Sequence, residues 1–563
     1  MHHLQSGHTE LPVGEVRLSN AELMQMLGVG QNEEVSRTAL LGAIAARQAV
    51  RMSAVDTRDC SHTAFISGTT VAGMDVTETH FHDMKTSDEH LSAVMNHECG
   101  ASTLETARLS GLLGAQVSTI STACSSALNA IIVGAEMLRN GEADIVIAGG
   151  AEALSMFHLN GFNTLMILDR EQCRPFDDTR AGLNLGEGAA YIVLERTDDA
   201  RSRGVRPLGW IAGYGNACDA FHQTASSDDG QGAYLAMQKA LNMAGLEPED
   251  IDYVNAHGTG TPNNDQSESE ALKRIFYDSM PPVSSTKSFT GHTTSASGSI
   301  ETVISLLAIE NSFIPSNLGW KTAMADGIRP SLGAERVQLK NVLCNSFAFG
   351  GNDSSLILSS EEPQGESKEG KVGKEGKVGK ESKVEIKACT AATSIIDSIE
   401  ALKDSRKWIP PMEGRRMGKL LKAAMMTSLD ALQKAGIACP DAIVTATEWG
   451  MIETTELFLD DMVENGENLL KPTLFMQSTH NTLSSAIAIR TRCHGYNITY
   501  SHGCSSFDWA LRDAKRLIET GRAKTVLVGE HDETAPYLRN FLHRLGIKEK
   551  PEIYSKSVVL TCS

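Results

Sequence analysis

The chain predicts a layered α/β architecture. Short β-rich runs alternate with amphipathic helical stretches, one run is apolar almost throughout, and a strand–Cys–helix signature occurs twice. In chain order, "AQVSTIST" (115–122) predicts a strand and "SSALNAIIVGAEMLRNGE" (125–142) a helix. "ADIVIAGGAE" (143–152) predicts a strand covered on both faces, because it leaves no polar alternation for solvent. "IDYVNAHG" (251–258), "PPVSSTKS" (281–288) and "VQLKNVLCNSFAF" (337–349) follow as strands, with "SASGSIETVISLLAIENS" (295–312) as a helix.

Length and composition bound what this architecture serves. At 563 residues the chain exceeds one simple core, so two or more domains are expected. It is 41% hydrophobic and has 49 glycines, an ordinary globular profile. No apolar run reaches membrane-spanning length, and the start "MHHLQSGHTELPVGE" has no basic region followed by an apolar core. Eleven scattered cysteines without CxxC pairs suit reduced thiols, so a cytoplasmic location is expected and no metal site is assigned. The net charge of −19 argues against nucleic acid and anionic membranes as partners.

Residues 361–387 break the pattern. They hold seven Glu, seven Lys and a tandem EGKVGK, with almost no apolar residues, and predict a solvated linker. The chain then divides into 1–360, the linker 361–387 and 388–563. Setting Cys504 of "SHGCSSF" on Cys124 of "STACSSA" gives an offset of 380 that holds without a gap for about thirty residues. It pairs Ser121 with Ser501, Ala130 with Ala510, Gly141 with Gly521 and Gly149 with Gly529. "YNITYS" falls opposite "QVSTIS", and "KTVLVGE" opposite "DIVIAGG". The second block therefore copies the front half of the first.

Chemistry concentrates in the first block. A Cys between a strand and a helix sits where unpaired N–H groups and the helix dipole favour a thiolate, although alone Cys124 reads more readily as a buried structural thiol, and the rest of the block shifts that reading. "NAHGTGTPNND" puts His257 at a strand end with Thr259 and Thr261 on the following loop. "SSTKSFTGHTTSASG" adds Lys287 and His292, and "CNSFAFGGND" a Gly-bounded loop with Phe347 and Phe349. Two His beside a strand-end Cys suit nucleophilic acyl chemistry.

These motifs resemble the beta-ketoacyl-acyl-carrier-protein synthases of the elongating type. TACSS, HGTxT, KS-x-x-GH and NSF-x-FGG occur in order, together with "RPFDDTRAGLNLGEGA" and "DAFHQTASSDDGQG", over roughly residues 15–360. The resemblance implies a thiolase-like αβαβα fold and decarboxylative Claisen condensation of an acyl-Cys with a malonyl carrier thioester. It makes Cys124 the nucleophile and His257 and His292 the donors that stabilise the enolate. Lys287 would hold the histidine geometry, and the amides of Cys124 and Phe349 would form the oxyanion hole. Thr259 and Thr261 would bind the phosphopantetheine arm, with Phe347 also on the substrate side and Phe349 as a gate. Asp265 and Glu268 read either as supporting carboxylates or as helix-start charges. Substrates ride on an acyl carrier protein, so no cofactor is implied, and fatty-acid and polyketide or aryl-polyene routes both fit.

Relatives with other residue sets fit less well. A thiolase needs a second Cys in a C-x-G loop, where Cys344 precedes NSFAFGG instead; initiating synthases use Cys, His and Asn; decarboxylase-type relatives replace the Cys with Gln. Two departures from the pattern stand out. The opening strand usual in the family is not found at the start of this sequence, so the expectation is either a start farther upstream or reduced stability, and Ala348 stands where the gate loop usually has Gly. If the position requires φ > 0 or must flip, Ala there would cost about 1 kcal/mol or slow the gate.

The second block resembles the front half of a ketosynthase, closest to chain-length-factor-like proteins, through "STHNTLSSAIAIRTRCHGYNITYSHG". It lacks the histidine motifs, so Cys504 reads as non-catalytic, with His502 and His480 outside any family position. A half fold leaves an apolar face or edge to be covered. The expectation is packing on a ketosynthase homodimer, or as a pseudo-heterodimer with a ketosynthase-like subunit. The alternative for the whole chain is a non-catalytic chain-length or scaffold subunit.

Overall fold

A computed structural model describes residues 3–30, 33–363, 386–548 and 550–563. Most of the charged segment 361–387, expected to be a linker, lies outside the described residues. The first block carries nine main strands. They are β1 (Thr63–Gly68), β2 (Gln116–Ile120), β3 (Ile145–Glu152), β4 (Gly188–Glu195), β5 (Trp210–Cys218), β6 (Tyr253–Asn255), β7 (Val283–Ser284), β8 (Asn341–Ala348) and β9 (Asn352–Ser359). Its principal helices are α1 (Arg37–Ser53), α2 (Cys99–Leu109), α3 (Ser126–Arg139), α4 (Met156–Thr164), α5 (Gln231–Ala244), α6 (Pro262–Phe276) and α7 (Ser297–Asn311). The second block adds strands β10 (Ala388–Ile396), β11 (Ala442–Ala446), β12 (Tyr496–Tyr500), β13 (Thr525–Glu533) and β14 (Ile553–Cys562). Its helices are α8 (Lys419–Ala435), α9 (Pro472–Met476), α10 (Thr482–Thr491) and α11 (Ser506–Glu519).

The first block has the expected five layers. Helix α1 packs on β3 and β4, α3 and α7 fill the space between the two sheets, and α5 covers the far sheet. That far sheet runs β5-β9-β8-β6-β7. Helix α3 is buried at every position but Arg139, which explains its nearly continuous apolar sequence: it has a sheet on each side. Leu128, Ile131, Ile132 and Met137 are each fully buried there, worth about 1.5–3 kcal/mol apiece.

The near sheet crosses the block boundary. It runs β10-β14-β13-β11-β12-β2-β1-β3-β4, nine strands in one sheet. Strands β12 and β2 meet antiparallel at Tyr500 and Ile120. Ser121 N–H donates to Thr499 O and Ser501 N–H to Thr119 O, both at 3.0 Å. Under the 380-residue offset these two bonds are the same bond seen from each side. The blocks thus meet like the subunits of a two-fold dimer, within one chain.

This geometry corrects one expectation. The second block does not present an uncovered face: α8 and α11 cover its own sheet, and its β12 edge is paired with the first block. Its outermost strand β10 pairs with β14, whereas at the other end β4 is outermost among the described residues. One hydrophobic cluster joins Leu128, Ile131 and Ile132 to Val444, Tyr500, Trp509 and Val526 across the boundary.

Candidate active site

The turn from β2 into α3 projects Cys124. The strain sits one residue earlier, at Ala123 with φ +50°, so the chain reverses sharply and presents the sulfur at the helix start. Ser346 on β8 donates to Cys124 O at 3.0 Å and ties the turn to the far sheet. Sγ lies 3.1 Å from His292 Nε2. His292 in turn has Nδ1 2.9 Å from Ser297 Oγ on α7. The His257 ring crosses the His292 ring edge-on, with centroids 5.3 Å apart, and Phe347 lies 6.0 Å from His257.

Behind the histidines sits an ionic anchor. Lys287 Nζ reaches His257 O at 2.6 Å, His257 Nδ1 at 3.3 Å and Glu301 Oε1 at 2.5 Å, all fully buried. The lysine faces Nδ1 as a donor, which leaves the His257 proton on Nε2. Glu301 was not expected from the sequence. Its signal was present: an acid inside the apolar helix "SIETVISLLAI" requires a buried partner. Burial pushes the Glu301 carboxyl up to about 7 despite Lys287.

Asp265 and Glu268 act as supports rather than solvent-facing helix-start charges. Glu268 accepts from the N–H groups of His257 (2.9 Å) and Gly258 (2.8 Å). Asp265 accepts from Phe176 N–H (2.7 Å) and Gly260 N–H (3.1 Å). Thr259 and Thr261 lie on the same loop with hydroxyls 2.9 Å apart.

Burial dominates the electrostatics. It pushes the Cys124 thiol up to about 12, with Lys287 and the N–H groups of Phe349 and Cys124 pulling the other way. The turn Phe349–Gly351 packs on the Ala123–Ser125 turn that carries the sulfur. Burial, then the charge of Lys287, holds both His257 and His292 well below their ordinary value. The site is a neutral thiol beside two neutral imidazoles.

The loop carrying Phe349 corrects the reading of Ala348. Ala348 has φ −129°, extended backbone that any residue adopts, and the left-handed positions are Gly350 (+84°) and Gly351 (+73°). The Phe349 ring stacks on Phe162 of α4 at 5.9 Å. Behind α4, Phe475 of α9 packs so closely on Gly161 that a Cβ there would lie 2.1 Å from its ring. Phe475 is a contribution of the second block to this wall that no sequence motif announced.

In the second block Cys504 is exposed. His502 Nδ1 faces Thr119 Oγ1 at 2.9 Å, and His480 Nε2 faces Cys99 Sγ at 3.7 Å, both across the block boundary. Neither imidazole is hydrogen-bonded to Cys504.

Comparison with known families adds a decisive match. The model of the beta-ketoacyl synthase N-terminal domain matches residues 22–200 and again 353–536, and that of the C-terminal domain matches 208–321. The chain belongs to the beta-ketoacyl synthase family. Within it, the chain is 37% identical over 261 residues to 3-oxoacyl-(acyl-carrier-protein) synthase 2 of Vibrio cholerae, covering 44% of this chain and 63% of that protein. The chain thus spans about three-fifths of the length of the curated relatives of that name. The solved ishigamide ketosynthase/chain length factor superposes with TM-score 0.58 at 30% identity, over 62% of this chain and 87% of that one. The PfaC keto synthase–chain length factor covers 100% of this chain and 73% of its own with TM-score 0.75; at 16% identity that likeness concerns the fold alone. No helix among the described residues is long and apolar enough to cross a membrane.

Proposed function

We propose that this beta-ketoacyl synthase chain is a 3-oxoacyl-acyl-carrier-protein synthase, with residues 1–360 as the condensing domain and 388–563 in the position of a chain-length-factor-like second subunit. The observation that carries the reading is the Cys124 sulfur 3.1 Å from His292 Nε2, with His257 beside it. The partner is an acyl carrier protein that delivers both substrates as phosphopantetheine thioesters.

The chemistry follows from the neutral resting state. Cys124 is not stored as a thiolate, so its proton leaves toward His292 as sulfur attacks the acyl thioester carbonyl. The resulting oxyanion accepts from the N–H groups of Cys124 and Phe349, and collapse expels the carrier thiol, which regains the proton. His292 then passes to its Nε2–H tautomer, with Ser297 Oγ donating to the freed Nδ1, and a malonyl thioester places its carbonyl oxygen against the Nε2–H groups of His257 and His292. Carbon dioxide leaves, the enolate is held by those two donors, and its carbon attacks the acyl-Cys carbonyl. The new C–C bond forms as the C–S bond breaks, and the expelled Cys124 thiolate takes a proton from solvent to return to the thiol. A neutral imidazole suits this step because it donates without adding a proton to the carbanion. Lys287 keeps His257 in the required tautomer, and Thr259 and Thr261 line the path of the pantetheine arm.

Acylation by an acyl carrier thioester, read by intact mass, tests the reading on wild type, Cys124→Ala and Cys504→Ala. Labelling lost only in Cys124→Ala is expected. Absence of labelling in wild type would turn the chain into a scaffold subunit.

A further inference from the structure

Helix α10 of the second block begins at Asn481, and this residue does something unusual for a helix start. An Asn at this position ordinarily turns its side-chain oxygen onto the first amides of its own helix. Here it makes no such cap, and its Oδ1 is buried without a hydrogen-bond partner. Instead Nδ2 crosses the block boundary and donates to Phe349 O at 2.8 Å and to Asn352 Oδ1 at 2.7 Å. The orientation is fixed by its partners. Phe349 O is a carbonyl, and Asn352 has spent its own Nδ2 on Asn497 O (3.1 Å) and Asn497 Oδ1 (2.9 Å), so only an NH2 group fits between them. In the first block, α2 starts conventionally, with Glu98 accepting from Gly100 N–H at 2.7 Å.

The residue held by Asn481 opens the Phe349–Gly351 turn, which packs on the Ala123–Ser125 turn of the nucleophile, and its N–H pulls the Cys124 thiol downward. Gly350 and Gly351 follow in left-handed conformations; Gly350 N–H donates to Gln223 O at 2.7 Å and Gly351 O accepts from Asp219 N–H at 2.8 Å, while the Phe349 carbonyl is held by Asn481. Asn481 and Ser485 also close on Gly350, where a Cβ would lie 2.2 Å from Ser485 Oγ and 2.8 Å from Asn481 Nδ2. Asn352, the other acceptor, connects through Asn497 to Asn216, whose Nδ2 donates to Asn129 Oδ1 at 2.9 Å on the helix that follows Cys124. The loop is therefore clamped from the second block and referenced to the nucleophile helix.

We propose that Asn481 is a positioning residue for the oxyanion donor: the catalytically mute second block completes the active site of the first by pinning the carbonyl of Phe349, and so aiming its amide. This rests on the acyl-transfer reading of Cys124 given above.

Two reactions of the same sulfur separate positioning from simple structural support. Acylation by hexanoyl-pantetheine builds an oxyanion, whereas alkylation by iodoacetamide is a displacement that builds none. Both are followed by intact mass on the full chain, for wild type, Asn481→Ala and Asn481→Asp. The Asp variant keeps the shape but sets a carboxylate against two acceptors, so it serves where the Ala variant folds poorly. Acylation of Cys124 is expected to slow between ~10-fold and ~100-fold in both variants, as misplacing a preorganised donor does, with alkylation within about twofold of wild type. Equal rates of acylation in variant and wild type would overturn the proposal. So would a parallel fall of both reactions, which marks a general structural role. Wild-type Cys124 that alkylates but never acylates would overturn the acyl-transfer reading itself, and this inference with it.

Discussion

Replacing Lys287 by Met removes the charge that lets Glu301 ionise in the protein interior. In the wild type Glu301 holds its proton up to about pH 7, against 4.5 in the unfolded chain. A folded pKa above the unfolded one gives stability that is full below 4.5 and is lost as pH rises toward 7. Each pH unit in that window costs about 1.4 kcal/mol. Above 7 the wild-type carboxyl releases its proton to the protection of Lys287, and the loss from this group stops. In Lys287→Met the bare carboxylate has no partner within the fully buried pocket, so Glu301 stays protonated and the loss continues. The penalty of the variant from this source is therefore near zero at pH 6, about 1.4 kcal/mol at pH 8 and roughly 2.7 kcal/mol at pH 9. Urea denaturation at those three pH values measures it; because Lys287 also acts on Cys124, His257, His292 and Glu268, the Glu301 share is the part of the slope that Glu301→Gln removes. Adding Glu301→Gln should flatten the slope. A penalty independent of pH, or a slope left unchanged by Glu301→Gln, would refute the reasoning.

Three further outcomes follow from the same coordinates. With the thiol pushed up to about 12, alkylation of Cys124 by iodoacetamide should climb about tenfold per pH unit from 7 to 9; a plateau by pH 8 would mean a stored thiolate. Gly161→Ala should destabilise by about 1–3 kcal/mol, because its Cβ enters the Phe475 ring, and Phe475→Leu in that background should recover much of the loss on urea titration. Ala348→Gly, nominally a return to the family pattern, should destabilise by up to about 1 kcal/mol rather than stabilise, since Ala348 is already in extended backbone; a rise in the unfolding midpoint would contradict this.

Much of the first block was legible because its chemistry sits at strand ends. The strands around "QVSTI", "IVIAGG" and "NVLCNSFA" and the helices after Cys124 and His292 fall where periodicity put them, and the motif residues Cys124, His257, Lys287 and His292 meet at one point. "PPVSSTKS" was only partly right: its strand stops at Ser284 and the chain turns into a short helix at Lys287, whose amine must point inward to Glu301. Whether position 348 needs φ > 0 stayed open in the sequence, because a Gly-to-Ala difference is visible there while φ is not; the left-handed positions are Gly350 and Gly351. Asn481, Phe475 and Glu301 were missed for a common reason. Each acts across a tertiary contact, and neither spacing nor composition encodes which block a side chain will face.

The helices after the two matched cysteines explain what became of the second block. Helix α3, "SALNAIIVGAEMLR", lies between two sheets and is buried all round, mostly apolar with Asn129 and Glu136 among its buried positions. Its counterpart α11, "SFDWALRDAKRLIE", buries Trp509, Ala510, Ala514, Leu517 and Ile518 but turns Asp508, Arg512, Lys515 and Glu519 to solvent. The sequence of α11 is thus adapted to having no second sheet above it, and a half domain with a finished surface needs no further cover. What it retains is the set of parts that meet the first block. Strand β12 continues the sheet, Arg516 pairs with Glu142 at 3.0 Å and Arg522 with Glu136, Phe475 backs α4, and Asn481 holds Phe349. The motifs absent from it, HGTxT, GH and FGG, belong to the half that would carry chemistry and the far sheet. The contacts that remain, β12 on β2, Arg516 on Glu142, Phe475 on Gly161 and Asn481 on Phe349, are the ones that the proposed supporting role of this half requires.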